Sequence, residues 1–206
     1  DREAIFETIA SDAAADALSE VEPAIQASIL ESLETDKAAD IIEEMSPDEA
    51  ADVLAELEDE KSAEILDEME TEPKSEGSEL LEYDEDSAGG MMNTEYVSLY
   101  ANATVNDAVA ALKGHEDLLE SLNTLLLVDA DERLTGAVPL ARLFVVTGQT
   151  ALRELSVDRL LYVRVDEKQN RVTELFDKYN LLPLPVLDLE GKLAGVITAD
   201  DMISVL

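Results

Sequence analysis

The side chains best suited to chemistry in this 206-residue chain are carboxylates. Asp48 and Asp52 stand four residues apart, a spacing that puts both on one face of a helix, one turn apart. Oxygen ligands suit hard cations, so carboxylates at this spacing are candidate ligands for one. Asp16 lies 36 residues before Asp52, in the same register of a repeat described below, and is a lesser candidate. Any single acid on so acidic a helix also has a plainer reading as a solvated surface group. Other chemistries lack their parts. There is no cysteine and one histidine, His115, which excludes thiolate zinc sites, disulfides and Cys-His catalysis. His115 reads as a loop residue. No nucleophile sits with a base in a recognisable pattern, so the chain is expected not to be an enzyme.

Charge sharpens the cation reading. The chain carries 49 acidic and 14 basic side chains, for a net charge of −35. Residues 1–90 hold 31 acids and 4 bases, a net of −27, and residues 91–206 hold 18 and 10, a net of −8. Acidity acquired for solvation in high salt would tint both halves alike, and here it does not. Localised acidity points to cations as partners. Nucleic acid is a poor partner, because binding it requires Lys and Arg to neutralise phosphates. No apolar run approaches the roughly 20 residues of a membrane-spanning helix, and no signal-peptide pattern opens the sequence. A soluble acidic polypeptide is the expectation.

The elements that must position Asp48 and Asp52 are legible in a repeat of twelve. Asp36-Lys37-Ala38-Ala39-Asp40-Ile41-Ile42-Glu43-Glu44-Met45 returns as Asp48-Glu49-Ala50-Ala51-Asp52-Val53-Leu54-Ala55-Glu56-Leu57. It returns again as Glu60-Lys61-Ser62-Ala63-Glu64-Ile65-Leu66-Asp67-Glu68-Met69. Backwards in twelves, Ile29/Leu30/Leu33, Ala17/Leu18/Val21 and Ile5/Phe6/Ile9 fit, making six copies. Apolar residues at i, i+1 and i+4 form a helical stripe. Twelve residues accommodate a helix of about eight plus a turn. Ser46-Pro47-Asp48-Glu49 predicts an N-cap serine, a proline at the first helical position and a capping-box glutamate, and Pro23 recurs at the position of Pro47. Helices this short must stack into a solenoid, a scaffold suited to binding.

Residues 71–95 read as a linker, polar from Thr71 to Glu79, with Pro73 and Gly77, and with room for a short helix through Leu80 and Leu81. After it, strand–helix–strand–strand–helix occurs twice. The first pass predicts strands at Tyr96–Leu99, Leu125–Val128 and Leu134–Val138, with helices at Val105–Lys113 and from about Leu140. In the second, Leu161–Val165, Asn170–Tyr179, Leu184–Leu187, Leu193–Ile197 and Ala199–Val205 play the same parts. Val128-Asp129 with Gly136 matches Leu187-Asp188 with Gly195 at an offset of 59, and upstream the offset reads as 63. About four extra residues therefore fall in the first copy, near Gly114–Leu122.

Two such βαββα units in tandem resemble a pair of CBS domains. In that family a Gly-x-x-(Ser/Thr)-x-x-Asp signature binds a nucleotide ribose, and Gly195, Thr198 and Asp201 match it. In the first copy Pro139 and Arg142 replace both functional positions, and neither side chain can accept a ribose hydrogen bond. ATP is therefore expected to bind weakly or not at all. Thr198 has two readings, a nucleotide contact or a cap for the helix that follows. The whole order, with Glu85-Asp86-Ser87-Ala88-Gly89-Gly90-Met91-Met92 between the acidic repeat and the CBS pair, resembles the cytosolic region of MgtE-family magnesium channels across essentially all 206 residues.

That resemblance implies a fold class of α plus α/β, a superhelical solenoid of short helices followed by a tandem CBS pair. The implied divisions are an acidic N domain at 1–70, a linker at 71–95, and CBS domains at 96–150 and 151–206. It implies that the acids of the Asp48/Asp52 helix face the start of the last CBS helix, which carries Asp200 and Asp201. Mg²⁺ held there would join domains that otherwise repel, pin connecting helices and shut a membrane pore that would follow Leu206. Homodimerisation through the CBS domains is implied as well, at the cytoplasmic face of a membrane. Lys168 and Asn180 stand where acids of the second CBS domain often add cation contacts, so some of the family's ion sites are expected to be lost. Two rivals are a nucleotide-sensing CBS module of another transporter or enzyme, and an acidic helical scaffold for a basic protein partner.

Overall fold

The twelve-residue period becomes a ladder of helices in the computed structural model, which describes residues 5–115, 117–120, 122–199 and 201–204. Two compact units emerge, residues 1–85 and 86–206. In the first, α1 (Ser11–Ser19), α2 (Pro23–Glu31), α3 (Thr35–Ile42), α4 (Pro47–Glu56), α5 (Asp59–Glu68) and α6 (Thr71–Leu80) start at intervals of twelve. Each packs on the helix two places along: α1 on α3, α2 on α4, α3 on α5 and α4 on α6. The predicted stripe is the core. Leu18, Leu30, Ile42 and Leu54 form one buried column, Ile41, Val53 and Ile65 a second, and Leu33, Met45, Leu57 and Met69 a third. Alanines at 15, 27 and 39 keep the helices close. Gln26 interrupts the column of Ala14, Ala38 and Ala50, and its buried Nε2 donates to the carbonyls of Leu18 and Val21, both at 2.8 Å.

The repeat also reuses its bases. Lys37 Nζ donates to Ile9 O (2.8 Å) and contacts Ser11 Oγ (3.1 Å), and Lys61 does the same 24 residues later with Leu33 O (3.0 Å) and Thr35 Oγ1 (3.2 Å). These two cations thus satisfy carbonyls and hydroxyls at helix ends within the unit.

Two expectations are corrected here. Ser46 is the N-cap of α4 and Pro47 its first residue, but no side-chain cap forms. Glu49 instead accepts the Ser19 hydroxyl of α1 at 2.8 Å, so the predicted capping box gives way to a tertiary contact. The polar start of the linker is also a helix, because Pro73 falls in the first turn of α6, where a missing N–H costs nothing.

The second unit contains β1 (Ser98–Tyr100), α7 (Val105–Leu112), β2 (Thr124–Val128) and β3 (Leu134–Pro139). It then repeats them as β4 (Val163–Arg164), α8 (Gln169–Tyr179), β5 (Pro183–Leu187) and β6 (Leu193–Thr198), with α9 at Asp201–Ser204. The sheets run β1-β2-β3 and β4-β5-β6, each with a parallel outer pair and an antiparallel hairpin. Their registers superimpose. Thr124 pairs with Pro139 as Pro183 pairs with Thr198, at an offset of 59, and an irregularity follows Leu127 and Val186 alike. Upstream, Leu99 opposes Leu127 as Val163 opposes Val186, which fixes the offset at 64 rather than 63 and the extra residues at five rather than four.

The leading segment belongs to this unit. Ala88 N donates to Glu167 O (2.8 Å) and Gly89 N to Val165 O (2.9 Å), and Asn93 exchanges both backbone hydrogen bonds with Val196. Residues 71–95 are therefore no free linker. After β3 the chain forms a 3-10 helix, Leu140–Val145, in place of the predicted α-helix, and Pro139 supplies it no side-chain cap. At the hairpin tips, Lys192 pairs with Glu132 at 2.7 Å, joining the two repeats. Among the described residues no helix is long and apolar enough to cross a membrane.

Candidate cation and nucleotide sites

Asp48 and Asp52 occupy successive turns of α4, as their spacing requires, but at different depths. Asp48 is 9% exposed in the first turn, where the positive end of the helix dipole favours a carboxylate. Asp52 is exposed, and so is Asp16 on α1. The Ser19–Glu49 hydrogen bond brings the last turn of α1, one turn beyond Asp16, to the first turn of α4. Among the described residues no three acidic, histidine or cysteine groups converge closely enough to hold a metal ion. An ion at Asp48 or Asp52 would thus complete its shell with water or with groups from elsewhere.

At the end of β6, Thr198 and Asp201 are tied together. The Thr198 N–H donates to Asp201 Oδ2 at 2.6 Å, which ties the end of β6 to the first residue of α9. Gly195 has its own structural reason, since a Cβ there would lie 2.7 Å from Asn93 O and 2.9 Å from Met92 Sδ. Asp200 lies outside the described residues. Lys168 is the N-cap residue of α8 and bridges Ser87, while Asn180 ends that helix in the left-handed conformation at φ 54°. Both positions where acids were missed thus carry backbone roles. His115 is exposed and outside helix and strand.

The two half-sites differ most in space. Beside Pro139 lies a cleft of about 300 Å³, lined on one side by Thr124, Leu126 and Ala137 and on the other by Leu160, Leu182 and Pro183. Its counterpart beside Thr198 measures about 40 Å³, and Leu118 and Leu122 line it. Those leucines belong to the segment lengthened in the first repeat. Among the described residues the cleft beside Thr198 is therefore the smaller, and the half that lost the signature is the roomier. Arg142 does not enter a ribose-reading role there: its Nη1 donates to Leu155 O (2.9 Å) and Ser156 O (2.8 Å). Sequence reasoning missed this inequality, and its one legible trace was the lengthened loop.

Comparison with known proteins agrees with the architecture. The family model described as the MgtE intracellular N domain matches residues 1–86, and the CBS domain model matches residues 152–206. The magnesium transporter MgtE of Enterococcus faecalis is 35% identical over 131 residues, 64% of this chain and 29% of that protein. The chain thus spans under a third of that relative's length. A crystal structure of the soluble part of a magnesium transporter superimposes with a TM-score of 0.92 at 31% identity, over 99% of this chain and 80% of that one. A structure of the cytosolic domain of the Mg²⁺ channel MgtE in complex with ATP does so with a TM-score of 0.93 at 33% identity, over 100% of this chain and 84% of that one. With both halves matched and the full length superimposed on solved members, this chain belongs to the MgtE family.

Proposed function

We propose that this chain is a magnesium-sensing regulatory region, a clamp operated by charge rather than a catalyst. The observation that carries the reading is the −27 net charge of residues 1–90, which includes Asp48 and Asp52 one turn apart on α4, in a chain of this family. Without divalent cation the acidic unit repels Asp200 and Asp201 of the second unit. With Mg²⁺ bound by Asp48, Asp52 and Asp201, and in a lesser role by Asp16, repulsion becomes attraction and the two units close. Closure would shut the pore of a longer membrane protein, at whose cytoplasmic face the region would lie as a homodimer joined through its CBS domains.

Magnitudes set the number of ions. One site at 100 times its Kd shifts a two-state equilibrium by about 2.7 kcal/mol. Driving it from 1:99 to 99:1 takes about 5.5 kcal/mol. Several ions must act together.

The test is small-angle scattering and melting with Mg²⁺ or EDTA at constant ionic strength, on the parent and on an Asp52→Ala/Asp201→Ala variant. The parent is expected to compact and melt higher in Mg²⁺. The variant loses repulsion as well as ligands, so its cation-free form should be slightly more compact and its Mg²⁺ response smaller. A parent that ignores Mg²⁺ refutes the clamp. A variant with the parent's midpoint and amplitude refutes the site.

A nucleotide-sensing role is the second reading, favoured by Gly195, Thr198 and Asp201 and by the ATP held in one related structure. Against it stand Pro139 in the open half-site, Arg142 held by the carbonyls of Leu155 and Ser156, and the leucines in the other half-site. Calorimetry should find ATP binding weak or absent, and micromolar binding would restore this reading.

A further inference from the structure

At the end of the first sheet opposite Pro139, the parallel strands β1 and β2 both stop, at Tyr100 and Val128. A groove of about 380 Å³ opens there, at the carboxyl ends of parallel strands, a favoured position for ligands. Val128 and Ala130 give it apolar surface, and Arg153 and Asp129 give it one charge of each sign. Both charged residues are held by the fold. Arg153 N donates to Ala101 O at 3.0 Å, and Asp129 Oδ1 accepts the N–H groups of Asp131 (2.9 Å) and Arg133 (3.0 Å). Among the described residues no ion pair or hydrogen bond engages the Arg153 guanidinium, although the chain carries 49 acids. Tyr100, 59% exposed, adds an aromatic face that suits a cation. The second repeat shows the same place closed. By register Arg164 stands where Tyr100 does, Leu189 where Ala130 does, and Gly89 where Arg153 does. There Arg164 Nη1 donates to Leu189 O at 3.1 Å, so the arginine is spent on the hairpin. In the first repeat the arginine stands on the connector, the hairpin residue is a small alanine, and the groove stays open.

We propose that this groove binds a small zwitterion, an amino acid with a compact apolar side chain, its carboxylate on Arg153 and its ammonium between Asp129 and the Tyr100 ring. A guanidinium and a carboxylate that line one groove without pairing suit a ligand that carries both opposite charges. An anion would satisfy Arg153 but is repelled by a chain of net charge −35. A cation would satisfy Asp129 and leave Arg153 unpaired. A zwitterion answers both groups and carries no net charge to be repelled. The apolar side chain rests on Val128 and Ala130. This input is separate from Mg²⁺ sensing and stands or falls on its own.

The experiment is ¹⁵N-resolved titration of the whole chain with L-valine at constant ionic strength, compared with valinamide, which keeps only the ammonium, and isovalerate, which keeps only the carboxylate. L-Valine is expected to move the amides of Asn102, Ala130 and Arg153 and to leave those of Thr124 and Thr198 unmoved. Tyr100, Ala130 and Arg153 are exposed, so substitutions there should leave the fold intact. Arg153→Gln should weaken binding about tenfold, the lower end for losing a hydrogen bond to a charged group. Asp129→Asn keeps an oxygen for the hairpin N–H groups, removes the charge and should weaken binding similarly. The double variant Tyr100→Arg/Ala130→Leu copies the closed second repeat and should abolish binding. Valinamide and isovalerate should each bind at least about tenfold more weakly than L-valine. The proposal is overturned if no groove amide moves, if either single-charge analogue binds as tightly as L-valine, or if Arg153→Gln or the double variant leaves the affinity unchanged. The Mg²⁺ response of the same samples reports on the clamp independently.

Discussion

Where the third strand of each repeat ends, the second unit carries Pro139 in one sheet and Thr198 in the other, at matching register. From Thr198 the chain enters α9 with Asp201 accepting its N–H. From Pro139, which has no N–H to give, it enters a 3-10 helix whose Arg142 reaches the connector carbonyls. The helices before the second strands diverge as well. α8 stops sharply at left-handed Asn180 and reaches β5 three residues later, whereas α7 runs into a longer path that carries Leu118 and Leu122 over the opposite cleft. One backbone plan thus yields a larger and a smaller cleft. A signature read in sequence locates a strand end; the residues across from it decide whether a ligand has room.

The largest expected difference concerns the glycines at the centre of each third strand. A Cβ at Gly195 meets the backbone oxygen of Asn93 at 2.7 Å, and that segment is pinned by two hydrogen bonds to Val196. Gly195→Ala should therefore cost about 1–3 kcal/mol, the range for forcing atoms into a packed site. At Gly136 the obstacle is Ser156 Oγ at 2.5 Å, a side-chain end that can rotate away. Rotation forfeits its hydrogen bond from Ala137 N, so Gly136→Ala should cost nearer about 1 kcal/mol. Urea unfolding of both variants measures the gap. Equal losses would mean that the leading segment yields as easily as a side chain.

Next in size is the stop of α8. Asn180 sits at φ 54°, and alanine there should cost about 1–2 kcal/mol, while glycine should change stability by a few tenths. The glycine variant should keep the backbone turn. If alanine is as harmless as glycine, the left-handed stop is not what keeps this side short and the cleft clear.

How much of this was legible follows from what each feature depends on. The starts of α1 to α5 follow from periodicity because one stripe, typified by Ile41, Ile42 and Met45, recurs and has a single way to be buried. α6 escaped notice because its sequence lacks that stripe and shows Pro73 and Gly77 instead. The strand pairing was legible to within one residue, since Gly136 and Gly195 fix the offset of 59 and a loop of unknown path blurs the offset upstream. The candidate aspartates were legible as residue types at a helical spacing. The burial of Asp48 was not, because it depends on packing between helices two repeats apart. The inequality of the clefts was hidden for the same reason: Leu118 and Leu122 act across space on a strand from the other repeat.

The smallest expected effect lies at the helix starts. Thr104 caps α7 in a complete capping box: its Oγ1 accepts from Asp107 N at 3.3 Å, and Asp107 Oδ2 accepts the Thr104 N–H at 2.7 Å. Lys168, at the same place before α8, makes no side-chain cap. Thr104→Ala should cost about 1 kcal/mol, and Lys168→Ala should cost nothing through capping. The box also makes one repeat sensitive to acid. Hydrogen bonds from the Thr104 backbone first, and its side chain second, hold the Asp107 carboxyl below the usual aspartate value. A carboxyl lowered in the folded state contributes stability above its unfolded value of about 3.9, and that contribution disappears as pH falls through the folded value. Asp107→Asn should therefore melt below the parent at neutral pH and converge with it in strong acid, while Lys168→Ala should show no such convergence. Melting curves between neutral pH and pH 2 test both. A constant gap for Asp107→Asn across that range would mean that the carboxylate's charge contributes nothing and that the cap acts through shape alone.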